Sequence, residues 1–136
     1  MKDIAELNPH HYPTNPSIDG NLKILFARML EVQDAFGHDL TVTSGLRSDA
    51  QQEQLIKEGK TTAVHSKHLA GAAVDILDLD GSLTAWVKAN LDYMAKVGLW
   101  MEDFDSIAHL AATHKSAIWV HFQCMAPGSG KRVFIP

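Results

Sequence analysis

Ser66-Lys67-His68-Leu69-Ala70-Gly71-Ala72-Ala73-Val74-Asp75-Ile76-Leu77 passes from a polar loop into a short apolar run that ends at Asp78-Leu79-Asp80-Gly81. The spacing predicts a surface loop over Gly59 to Lys67, then a strand over Ala73 to Leu77 closed by a turn. Side chains alternate along a strand, so Val74 and Ile76 share one face while Ala73, Asp75 and Leu77 share the other. Burying Val74 and Ile76 therefore aims Asp75 away from the core. His68 lies seven residues earlier, and the small residues between the two let the backbone turn closely enough for both to reach one ion.

The same parity recurs near the C-terminus. Ile118, Val120, Phe122 and Cys124 fall on one face of a predicted strand, and Trp119, His121 and Gln123 on the other. His121 becomes the third candidate ligand. One cysteine, Cys124, excludes an internal disulfide, and with eight histidines a metal site has to be built from imidazole and carboxylate. Two imidazoles and one carboxylate leave the fourth tetrahedral position of a zinc ion open for water, the pattern of catalytic sites and of hydrolysis.

Outward from these strands, the segment before Ser17 (residues 1–16) holds three prolines and two adjacent histidines without a period, and reads as an extended arm. Ser17 is a candidate N-cap for a helix carrying Ile18, Leu22, Leu25, Met29, Val32 and Phe36 at helical spacing, stopped by Gly37. A strand is expected over Leu40 to Thr43 and a second helix over Asp49 to Glu58. Leu83, Trp86, Val87, Leu91, Met94 and Val97 form one stripe, predicting a single helix from Ser82 to Gly98. Leu99 to Glu102 reads as a short strand, Asp103 to Lys115 as a loop or helical turn, and Ala126 to Pro136 as a loop with a terminal strand. Helices and strands that cluster rather than alternate favour an α+β fold with a largely antiparallel sheet.

A length of 136 residues suits a single domain. Twelve basic against sixteen acidic residues leave a net charge of −4 without a basic run, so a nucleic-acid partner is not expected. Leu22 to Leu30 is interrupted by Lys23 and Arg28, so no membrane span is expected. Met1 to Pro9 lacks the apolar core of a secretion signal, and synthesis in the cytoplasm is expected. His109 and His114 have no Glu between them and fail the spacing of a His-Glu-x-x-His protease; with His10, His11 and His38 they read as structural or solvated. His65, three residues before His68, is an additional candidate for the metal's surroundings.

The pattern Ser-x-His-x-x-Gly-x-Ala-x-Asp, filled by Ser66, His68, Gly71, Ala73 and Asp75 and followed by Trp119-x-His121, resembles the zinc peptidases that cleave peptidoglycan peptides. That group comprises D-alanyl-D-alanine carboxypeptidases and dipeptidases and phage L-alanyl-D-glutamate endolysins, with a Hedgehog/DD-peptidase type of fold. At average composition the five fixed positions would coincide in about one chain in ten thousand of this length, so composition alone does not account for them. Ser44-Gly45-Leu46-Arg47-Ser48 is similar to the group's Ser-Gly-x-Arg-Ser turn. By that resemblance the fold is Hedgehog/DD-peptidase-like, Arg47 holds a substrate carboxylate or the developing oxyanion, and Ser66 hydrogen-bonds the substrate backbone.

One position departs from the resemblance. Many members carry Glu or Asp three residues before the second histidine, where Ile118 stands here. Glu102 is the expected substitute, because a strand ending there can lie beside the last one and turn Trp100 and Glu102 to the site; Asp103 and Asp105 compete for the role. Gln123, on the face of His121, cannot take a proton at neutral pH and is expected to orient a ligand. Trp119 and Trp100 are candidates for the cleft wall or the core. The implied activity is hydrolysis of a stem-peptide amide by a monomeric zinc enzyme that reaches the cell wall after release, as an endolysin or virion-associated lysin does. The alternative is a zinc-bearing binding or signalling module without hydrolysis, and a carboxylate near the metal's open position separates the two.

Overall fold

In the computed structural model, which describes residues 1–63 and 65–136, the elements are α1 (Pro16–Phe36), β1 (Val42–Ser44), α2 (Asp49–Lys57), β2 (Ala73–Leu77), α3 (Ser82–Ala89), α4 (Leu91–Val97), β3 (Trp100–Glu102), α5 (Phe104–Thr113), β4 (Trp119–Gln123) and β5 (Val133–Phe134). Short 3-10 turns cover Ile4–Leu7 and Lys67–Ala70. The strands form one sheet in the order β1-β2-β4-β3-β5. Three of the four pairings are antiparallel, and only β3 with β5 is parallel, so the fold is α+β with a largely antiparallel sheet.

The central pair, β2 and β4, shows why. Val74 lies opposite Phe122 and Ile76 opposite Val120, and all four side chains are fully buried. They pack with Leu22, Leu25, Met29 and Val32 of α1 in one core. Each such side chain contributes roughly 1.5–3 kcal/mol on burial, which holds the strands in this register and no other, since a one-residue slip would expose the whole set. The opposite face carries Ala73, Asp75 and Leu77 against Gln123, His121 and Trp119.

Several boundaries differ from the sequence reading. The first helix begins at Pro16, because Asn15 rather than Ser17 caps it through Ile18 N to Asn15 Oδ1 at 2.8 Å. The expected extended arm contains the 3-10 turn Ile4–Leu7, closed by an Asp3/Glu6 capping box, and buries Met1 and Leu7 in the core. The single helix expected over Ser82 to Gly98 is two: Asn90 leaves helical geometry, its Nδ2 donates to Trp86 O at 2.7 Å, and the stripe continues in α4. Asp103 to Lys115, undecided between loop and helical turn, contains the ten-residue helix α5, capped by Asp103.

Candidate metal centre

Asp75 and His121 face each other across β2 and β4, so the register that buries Val74 and Phe122 sets both side chains on the other face. His68 arrives from the turn Lys67–Ala70. Ser66 caps that turn, its Oγ accepting from His68 N at 3.2 Å, and Asn21 Nδ2 of α1 donates to Ala70 O at 2.9 Å. Gly71 ends it at φ 70°, where an added Cβ would press on Ile18 and Leu22 of α1. One ligating atom from each of His68, Asp75 and His121 lies within 4.8 Å of the others, and all three residues are buried.

The hydrogen bonds around the rings settle which nitrogens face inward. His68 Nδ1 lies 2.8 Å from Gly45 O, which only accepts, so Nδ1 carries hydrogen and Nε2 presents its lone pair 3.3 Å from Asp75 Oδ1. Gln123 Nε2 donates to Met125 O at 2.8 Å, which turns Gln123 Oε1 toward His121 Nε2 at 2.9 Å. His121 Nδ1 is thereby left 2.9 Å from Asp75 Oδ1. His68 Nε2, Asp75 Oδ1 and His121 Nδ1 thus turn toward one another, three electron-pair donors in a chemistry that suits a cation. Two imidazole nitrogens and one carboxylate oxygen fit a metal ion that keeps a fourth position open.

Arg47 holds the other side of the carboxylate, with Nη2 3.3 Å from Asp75 Oδ2. Its Nε donates to Ser44 Oγ and its Nη1 to Gln52 Oε1, both at 3.1 Å. Burial, the largest influence on Asp75, raises its pKa, yet the flanking His68 and His121 rings overturn that and hold it far below the carboxylate range. Burial also disfavours charge on both histidines. It prevails at His68, whose pKa is lowered, while the Asp75 contact carries His121 above its ordinary value.

Of the three acids considered as base, Glu102 lines the same cleft as Arg47 and the three donors, and burial raises its pKa. Asp103 is committed elsewhere: its Oδ2 accepts from Ser106 N and Ser106 Oγ at the start of α5, both at 3.1 Å. Asp105 is exposed on the first turn of that helix. Ile118, just before β4, is 37% exposed and does not line the cleft.

The profile of the family described as phage L-alanyl-D-glutamate peptidase matches residues 14–104, which is most of the chain and includes Arg47, Ser66, His68, Asp75 and Glu102. The chain belongs to the phage L-alanyl-D-glutamate peptidase family. It is a peptidoglycan peptidase by that membership. Among solved structures it is similar in fold to the Serratia marcescens L-Ala D-Glu endopeptidase ChiX, with a TM-score of 0.52 and 20% identity over 96% of this chain and 98% of that one. No curated protein matches it by sequence.

The peptidase's cleft encloses about 670 Å³. Trp119 and Ser66 line it, whereas Trp100 lies outside it, under the Arg132 guanidinium at 4.4 Å from the ring centroid. His65 lines the cleft but is not one of the three converging donors. Sequence reasoning missed Lys60, Ser106, His109 and Phe134, which also line the cleft, Phe134 standing edge-on to His121 with ring centroids 6.0 Å apart. It also missed Gln52, a buried glutamine behind Arg47. No local signal marks these residues, since they come from α2, α5, β5 and a loop without periodicity. Among the described residues no helix is long and apolar enough to cross a membrane.

Proposed function

We infer that the chain is a zinc-dependent endopeptidase that cuts the L-alanyl-D-glutamate bond of peptidoglycan stem peptides as a monomer. The observation that carries this reading is the convergence of His68 Nε2, Asp75 Oδ1 and His121 Nδ1 on one point in a cleft that also contains Glu102. Zinc, when bound, polarises the scissile carbonyl and makes water a nucleophile near neutral pH. Glu102 takes the proton of the attacking water on its carboxylate and returns it to the leaving amine; its raised pKa suits both transfers. Arg47 keeps Asp75 Oδ2 occupied, so that Oδ1 is the ligating oxygen, and the remaining N–H groups of its fork are available to a substrate carboxylate or the developing oxyanion. The Ser66 hydroxyl, whose oxygen already accepts from His68 N, keeps its proton to donate to a substrate carbonyl, and Trp119 supplies an apolar wall. Gln123 holds the His121 tautomer.

The test is digestion of purified muropeptides by the zinc-loaded protein, read by mass spectrometry. Products that begin with D-glutamate support the reading. Release of terminal D-alanine would make it a carboxypeptidase, and absence of any cleavage with zinc bound would favour a binding module.

A further inference from the structure

We propose that Gln52 is a positioning residue of this peptidase, tying the cleft wall at Ala63 to Arg47 and, through Arg47, to the carboxylate of Asp75. The activity part of this proposal rests on the reading above; the structural part does not. Helix α2 has the composition of a solvated surface helix, yet Gln52 is 2% exposed and is the one buried residue on it. A buried primary amide is costly unless both its ends are bonded. Gln52 Nε2 donates to Ala63 O at 2.6 Å and Oε1 accepts from Arg47 Nη1 at 3.1 Å. The amide cannot be flipped, because a carbonyl only accepts and a guanidinium only donates.

The bond at Ala63 holds a stretch in which Lys60, Thr61, Thr62 and Ala63 all line the cleft. The bond at Arg47 fixes one of three corners of the guanidinium, the others resting on Ser44 and Asp75. Gln52 does not line the cleft and is not among the converging donors. Its effect therefore runs through two neighbours: where the wall stands for substrate, and how Asp75 presents Oδ1.

Two variants separate these effects. Gln52→Leu removes both bonds, while Gln52→Glu keeps an acceptor for Arg47 and loses the donor to Ala63. The readouts are backbone amide exchange over residues 59–63 in the metal-free protein, zinc affinity by competition with a chelator, and kcat and KM on muropeptides. Gln52→Leu is expected to accelerate exchange in that stretch, weaken zinc about tenfold or more, and lower kcat/KM by about ten- to a hundredfold. Gln52→Glu is expected to accelerate exchange equally, hold zinc within about threefold of the parent and act mainly on KM. A residue that merely supports the fold would lower the melting temperature of both variants without this split. Parental exchange and zinc affinity in Gln52→Leu overturn the proposal; should that variant not fold, parental exchange in Gln52→Glu overturns it. If the parent protein cleaves no muropeptide, the peptidase reading fails while exchange and zinc affinity still decide the role of Gln52.

Discussion

At Glu102 burial raises the carboxyl above its ordinary range, while Asp103 next to it is held by the start of α5. Glu102→Gln keeps size and most hydrogen bonding and deletes basicity, so it is expected to retain zinc and to lose about a hundredfold or more in turnover. If Glu102 is the base, as proposed, it works when deprotonated, and with its ionisation raised above the usual 4.5 the parent rate should climb with pH through a limb displaced upward, which Glu102→Gln lacks. A pH profile of both proteins on one muropeptide checks this, and equal rates would return the role to an acid elsewhere. Arg47→Ala should behave differently, weakening zinc and turnover together by about ten- to a hundredfold, because it frees Asp75 Oδ2. Arg47→Lys should recover little, a lysine being unable to span Ser44, Gln52 and Asp75. Chelator competition and steady-state kinetics on the two variants decide it.

Among the elements, the N-terminal turn does more than cover the core. Leu46 N donates to Leu7 O at 2.8 Å, and the adjacent Gly45 O receives the His68 ring N–H. A Cβ on Gly45 would overlap the Leu7 carbonyl, so the turn can sit there only against glycine. Leu7→Ala removes a fully buried side chain and is expected to cost about 2–5 kcal/mol in urea denaturation. Its zinc affinity should also fall if the Leu7 side chain is what seats the turn whose main-chain carbonyl holds Leu46 beside Gly45; unchanged affinity in a destabilised Leu7→Ala would confine the side chain to stability. The reading of residues 1–16 as an extended arm missed this because Met1 and Leu7 are isolated apolar residues whose partners lie far along the chain. The break at Asn90 was hidden for the opposite reason: the apolar stripe continues across it, while at Asn90 the backbone leaves helical geometry and Nδ2 takes the Trp86 carbonyl.

Over the whole molecule, the buried His68, Asp75 and His121 and the half-buried Glu102 set how stability follows pH. In the metal-free protein His121 has a raised pKa, so its stabilisation is complete below the ordinary 6.5 and is lost as pH rises through the folded value. Glu102, also raised, changes in the same direction, its contribution present below 4.5 and lost with ionisation in the fold. His68 and Asp75, both lowered, contribute stability above their ordinary values and lose it only as pH falls. The chelated protein should therefore melt lower at about pH 9 than at about pH 7. On the zinc reading, the metal and a proton compete for the His121 nitrogen, so the margin of the zinc-loaded over the chelated protein should widen as pH rises; at any one pH it amounts to about 2.7 kcal/mol where free zinc is a hundred times its dissociation constant. Thermal melts with chelator and with zinc at both values check the sign. What the sequence by itself determined is the part carried by local spacing: the strand parity that turns Asp75 and His121 away from the core, the turn that brings His68, and the peptidase resemblance in those residues. Only the tertiary structure decided which nitrogens face inward, that Asp103 is occupied by a helix end, that Phe134, Lys60 and His109 wall the cleft, and that Gln52 is buried behind Arg47. The reason is physical: parity and spacing act over a few bonds, whereas a tautomer, a buried amide or a cleft wall depends on groups that only folding brings within hydrogen-bond reach.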